Sequence, residues 1–158
     1  MNSSKFVVIA ALSLSVITFA QEQVQEKEKK IPRASLPPAV EKTVAAQSQG
    51  ATIKGFSQEK EKGQTFYEAE MTVSGHSKDV LIDLSGAVVE VEEQVSLDSL
   101  PSAVKAGLQA KAGAGKILKV ESLTKHDKLV AYEAKVQTAG KKSEIQVAPD
   151  GKPMDHEE

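Results

Sequence analysis

The chain has no cysteine and no tryptophan, and only four Phe and two Tyr among its 158 residues. Without cysteine, disulfide frameworks, thiol catalysis, CxxC zinc sites and cysteine-anchored lipids are all excluded. Neither sign of charge predominates. Lys+Arg total 20 against 22 Asp+Glu, a formal net of −2, so nothing points to nucleic acid or an anionic membrane surface as partner. No long apolar run is present either. The longest, Phe6 to Phe19, spans 14 residues relieved by Ser13, Ser15 and Thr18, whereas a membrane span needs about 20. The length allows one ordinary domain or two very small ones.

What is present at the start has the three parts of a secretory signal. Lys5 charges the opening, the apolar run follows, and Thr18-Phe19-Ala20 places small residues at the −3 and −1 positions of a cut before Gln21. The reading is a signal peptide over 1–20, cleaved after Ala20, in preference to an anchor. A bacterial exported protein, periplasmic or secreted, is expected, with no membrane attachment after cleavage. Export permits disulfides, so a cysteine-free exported chain must hold together by packing alone. Residues 21–35 are polar and charge-mixed, end beside Pro32, and read as a flexible leader.

The remainder repeats. Leu36-Pro37-Pro38-Ala39-Val40 returns as Leu100-Pro101-Ser102-Ala103-Val104, an offset of 64, and Ile53 returns as Ile117. Tyr67-Glu68-Ala69-Glu70 returns as Tyr132-Glu133-Ala134-Lys135 at an offset of 65, kept by Gly75/Gly140 and Gly86/Gly151. One residue is therefore gained between Phe56/Val120 and the tyrosines, where a hairpin loop is expected. A register held from end to end is the most specific signal in the chain. It divides the sequence into repeats at 36–99 and 100–158.

Each copy reads as a helix followed by four strands, αββββ. Leu-Pro opens the helix, because proline in the first turn loses no needed N–H. Leu36, Val40 and Val44 share a face, as do Leu100, Val104 and Leu108, and Gly50 and Gly113 mark the stops. In the second strand Tyr67, Ala69, Met71 and Val73 alternate with Glu68, Glu70 and Thr72. In the fourth, Ala87, Val89 and Val91 are read as inward and Glu90 and Glu92 as outward. The matching strand of the second copy contains Pro153 and is expected to be short and frayed. The fold class is α+β, two tandem αββββ repeats, each a four-stranded antiparallel sheet with one helix on one face. Copies this small are marginal alone, so they are expected to pack into one unit.

Leu-Pro-x-Ala-Val at a helix start, Tyr-Glu-Ala-Glu or Tyr-Glu-Ala-Lys mid-copy, and Ile82-Asp83-Leu84-Ser85-Gly86 before a last strand resemble the PepSY-like, beta-lactamase-inhibitor-like domains of exported bacterial proteins. The resemblance covers nearly all of 36–158, once per copy. It implies an antiparallel sheet crossed by a helix, and an activity of binding or inhibiting another protein. The inhibitors related to this family grip their enzyme with an aromatic-rich sheet face. Here the outward face offers Glu68, Glu70, Asp79, Leu81, Asp83, Val88, Glu90 and Glu92, with Phe66 the single aromatic candidate. Protein binding in general, and not beta-lactamase inhibition in particular, is the reading.

Catalytic sets are not found. His76, His126 and His156 have no counterpart in the other copy and read as exposed loop residues, so no serine-hydrolase arrangement forms. No GxxxxGK, GxGxxG or HExxH pattern occurs, and Gly113-Ala114-Gly115-Lys116 follows a helix where a phosphate cradle would precede one. Asp155-His156-Glu157-Glu158 offers metal ligands on a tail without fixed geometry. No catalytic residue, cofactor or defined metal site is expected. One constellation stands out. Residues 36–99 carry 11 acidic and 5 basic groups, and 100–158 carry 10 basic and 8 acidic, so the near-neutral total is a cancellation. Glu68, Glu70, Asp79, Asp83, Glu90 and Glu92 should project from one side. Three readings stay open: a solvated sheet face, a contact for a basic protein surface, or an oxygen-ligand site for Ca²⁺. The leading function is a non-enzymatic exported module binding an unidentified protein; the alternative is an acidic calcium-binding or buffering envelope protein. The opposed charges of the copies also allow salt-sensitive self-association.

Overall fold

Residues 28–61 and 63–154 are described in a computed structural model. The signal expected at 1–20, the leader residues 21–27 and the tail 155–158 lie outside the described residues. The elements are β1 Lys29–Lys30, α1 Pro38–Gln47, β2 Ala51–Glu61, β3 Gln64–Val73, β4 His76–Asp83, β5 Val88–Val95, α2 Ser102–Ala112, β6 Lys116–Lys125, β7 Lys128–Thr138 and β8 Lys141–Val147. All eight strands form one antiparallel sheet in sequential order.

This corrects the expectation of two four-stranded sheets. A half sheet ending at β5 would leave a row of unpaired backbone groups at its edge. Instead β5 pairs with β6, from Glu90 opposite Lys125 to Val95 opposite Val120, and two edges disappear. The second copy supplies three strands. Its fourth is reduced to a single bridge between Val147 and Pro153, since proline has no N–H to extend a ladder.

Both helices cover the same sheet face. Leu36, Val40 and Val44 pack with Phe56, Tyr67, Ala69, Met71, Val80 and Ile82. Leu100, Val104 and Leu108 pack with Val120, Ala134, Val136 and Val147. Val91 joins the first cluster and Val95 the second. They lie four apart on one strand and so point to one side. Among the described residues, no α-helix lies on the opposite face.

Three local expectations change. Residues 29–35 are not a flexible leader: β1 pairs with Gln58 and Ser57 of β2, Ile31 packs on the first core, and Arg33 ion-pairs with Glu41 at 2.7 Å. The residue gained in the second copy is not in a hairpin loop either. Glu61 faces Gln64 and Lys125 faces Lys128, so the two pairings close at the same length in both copies. The extra residue is Val130, bulged out where the register shifts between Leu123–Ala131 and Thr124–Leu129. A second bulge, between Leu81–Glu90 and Ile82–Val88, leaves Val89 unpaired. Val88, expected outward, therefore packs on the first core.

The turns after β4 and β8 dock onto the helix starts. Gly86 has φ +86°, and a Cβ there would sit 2.7 Å from the Ala39 carbonyl oxygen. Thr43 Oγ1 donates to the Gly86 carbonyl at 2.6 Å. Gly151, at φ +82°, meets Ala103 in the same way. Gly86 and Gly151 are thus points where the turn backbones touch the helix starts.

Candidate functional site: an acidic, helix-free sheet face

Strand pairing brings the predicted carboxylates together on the bare face. Glu70 lies opposite Asp79, and Asp79 opposite Glu92. One row along, Ser57 faces Glu68, Glu68 faces Leu81, and Leu81 faces Glu90. Directly paired residues share a face, so five of the six expected site residues, Glu68, Glu70, Asp79, Glu90 and Glu92, form one patch. With Glu59 and Leu81, four of them line a pocket of about 140 Å³.

Asp83, the sixth, is on the same face, opposite Phe66, but its carboxylate is committed to the adjoining turn. Its carboxylate accepts from the Ser85 N–H at 2.8 Å, the Ser85 hydroxyl at 2.6 Å and the Ala87 N–H at 3.0 Å. These bonds, led by the Ser85 hydroxyl, hold its pKa below the ordinary value. It shapes the turn beneath Gly86.

The electrostatics of the patch are frustrated. Burial pushes the Glu92 carboxyl up to about 8, reinforced by Glu133, Glu121, Glu90 and Asp79. Burial likewise raises Glu68 to about 7, against the opposing hydrogen bond from Ser57, which donates at 2.9 Å. Asp79 and Glu133 are raised as well, again first by burial. Lysines offset this in part, Lys119 and Lys135 acting on Asp79 and Lys135 on Glu133. Lys30 reaches Glu70 at 3.4 Å and Lys125 reaches Glu90 at 3.5 Å.

Three contributors were missed in the sequence. Glu59 lines the pocket from β2. Glu121 is 1% exposed; it is held by Lys119, by Lys135 at 3.8 Å and by the Ser77 hydroxyl at 3.4 Å. Glu133 lies opposite Glu121 and accepts from Gln146 Nε2 at 3.0 Å. The alternation of β6 and β7 marks Glu121 and Glu133 as outward. Nothing in the sequence says that β6 lies against β5, and that pairing puts Glu121 beside Asp79 and Glu92. The oxygens of Asp79, Glu92 and Glu121 lie within 4.8 Å of one another, as do those of Glu28, Glu68 and Glu70.

The aromatic expectation is met in position and not in exposure. Phe66 is on the bare face, opposite Asp83 and Glu59, yet only 9% exposed. Tyr67 and Met71 are core residues, and Tyr132 packs on the second core, so none lines a groove. His76 and His126 are exposed.

The family model described as "Putative beta-lactamase-inhibitor-like, PepSY-like" matches residues 18–89 and again residues 65–153. Among solved structures, the chain is similar to a BLIP-like protein from Bacteroides fragilis NCTC 9343, with 22% identity, 77% of this chain and 82% of that chain covered, and a TM-score of 0.54. It is also similar to a DUF2874 family protein from Bacteroides uniformis ATCC 8492, at 19% identity, coverage of 73% and 84%, and a TM-score of 0.58. A protein from Bacteroides eggerthii DSM 20697, described as "putative periplasmic", gives 19% identity, the same coverages and a TM-score of 0.59. No curated protein matches the chain. At these identities the likeness to solved structures is one of fold.

Proposed function

The chain belongs to the beta-lactamase-inhibitor-like, PepSY-like family, and from that premise we propose that it is an exported, non-enzymatic binding module whose acidic sheet face engages a basic surface on another envelope or secreted protein. The observation that carries this reading is the convergence of Glu59, Glu68, Asp79, Glu90 and Glu92 on one pocket, with Glu68 and Glu92 raised to about 7 and 8. Carboxylates held in that state gain from an arriving cation, which favours their ionised form. A lysine or arginine side chain supplies the charge, and its apolar stem suits the Leu81 floor. Selectivity then comes from charge and not from aromatic anchors, because the one aromatic on this face, among the described residues, is buried.

Export fits the same reading. No helix among the described residues is long and apolar enough to cross a membrane, and residues 1–20 act as the cleaved signal. Affinity capture from the native envelope tests the proposal. Wild-type protein should retain a partner that the variant Glu68→Lys, Glu70→Lys, Glu90→Lys, Glu92→Lys loses. Equal capture by both places the contact elsewhere.

The two groups of three carboxylates support a second reading, a Ca²⁺ site, since that ion takes oxygen ligands. Calcium titration by calorimetry separates the readings. Heat that disappears in Asp79→Asn favours the ion, and no heat with no change in melting removes it.

A further inference from the structure

The acidic patch occupies only part of the bare face. At the far end of β6, β7 and β8 the same face turns basic. Lys119 lies opposite Lys135, Lys116 opposite Gln137, and Gln137 opposite Lys142, which gathers Lys116, Lys119, Lys135 and Lys142. Lys119 and Lys135 are ion-paired with the buried Glu121, and Lys135 also with the exposed Glu144 at 3.4 Å, so Lys116 and Lys142 supply the excess positive charge of this end. The acidic patch, by contrast, gathers Glu59, Glu68, Glu70, Asp79, Glu90 and Glu92, with Lys30 and Lys125 on the same face beside them. One continuous, helix-free surface therefore carries opposite charge at its two ends.

We propose that this face binds a second copy of the chain, with the acidic patch of each copy seated on the lysine end of the other. A two-fold axis lying in the plane of the face exchanges the two areas, so both contacts form at once and the assembly closes as a dimer. The size is sufficient. Seven full-length strands, β2 to β8, at about 4.8 Å spacing and some seven residues of about 3.3 Å each, give a face of roughly 800 Å². A standard interface buries about 800 Å² per partner. The inference rests on the reading of this face as the binding surface, and names the second copy as one occupant.

Sedimentation equilibrium of the purified protein at low and high salt tests it. The expected result is a dimer whose dissociation constant rises at least about tenfold between roughly 50 and 500 mM salt. Glu59→Lys with Glu70→Lys should be monomeric, and so should Lys116→Glu with Lys142→Glu. Mixing these two double variants should restore dimers, because the altered ends then attract while the unaltered ends keep their native contact. That rescue cannot come from misfolding. A monomer under all conditions, a dimer indifferent to the variants, a mixture without rescue or an open-ended oligomer would each overturn the proposal. A monomer that still captures a basic partner refutes the dimer and leaves the binding function standing.

Discussion

Replacing Glu92 by glutamine should stabilise the protein, and by an amount that depends on pH. In the folded chain Glu92 keeps its proton up to about pH 8, against an ordinary value of 4.5. Above 4.5 the unfolded chain carries it ionised while the native chain still holds it protonated, so the native state binds more protons and stability falls as pH rises. The loss accumulates at about 1.4 kcal/mol per pH unit, runs from 4.5 to about 8, and then levels off. The full window corresponds to ~5 kcal/mol as a ceiling, shared with the carboxylates that surround Glu92. Glu92→Gln keeps the shape and removes the titration. Urea unfolding of both proteins should give nearly equal stabilities near pH 5 and a gain of roughly 2–5 kcal/mol for the variant near pH 8.5. A variant that tracks wild type at a constant offset across that range would refute the picture of a buried, mutually repelling cluster.

The other expectations follow from the same geometry. Gly86→Ala imposes positive φ on a residue with a Cβ and drives it against the Ala39 carbonyl. A cost of about 2–4 kcal/mol is expected, read as a lowered urea midpoint at unchanged slope; a neutral result would contradict the close docking. Leu108→Ala empties a fully buried site in the second core and should cost about 2–5 kcal/mol. Because β5 and β6 join the halves, calorimetry should still show one transition, and two separated transitions would deny that the seam couples them. Binding of a basic partner near pH 7 should release protons, since the raised carboxylates ionise against the arriving charge. Calorimetry in buffers of different ionisation heat reads this, and proton uptake or none would exclude Glu68 and Glu92 from the contact.

Much of the fold could be read from the sequence because the duplication fixes helix and strand order twice. Leu36/Leu100, Val40/Val104 and Val44/Leu108 all reached the cores their spacing assigned. The errors lie where pairing is decided by tertiary structure. Whether β5 ends one sheet or joins β6 depends on edge satisfaction between copies, which no local pattern reports. Bulges at Val89 and Val130 shift the alternation by one, so Val88 changed face and the inserted residue was placed in a loop. All six carboxylates expected to share a face do so, because alternation in β3 and β4, and in β5 beyond its bulge, sets their side. Asp83 shares the face, opposite Phe66, but a serine two residues on holds its carboxylate in the turn. Glu121 was hidden because its significance comes from across the seam. The opposed charges of the two copies, legible as a count, became the two ends of one surface.

The proposed contact requires that a partner's positive charge ionise Glu68 and Glu92. Carboxyl ¹³C NMR titration of Glu68 and Glu92, with and without the captured basic protein, tests this most directly. Free protein should titrate near 7 and 8 at these positions, and both should fall toward the ordinary carboxylate range in the complex. Values near 4.5 in the free protein, or values unmoved by the partner, would exclude these carboxylates as the contact.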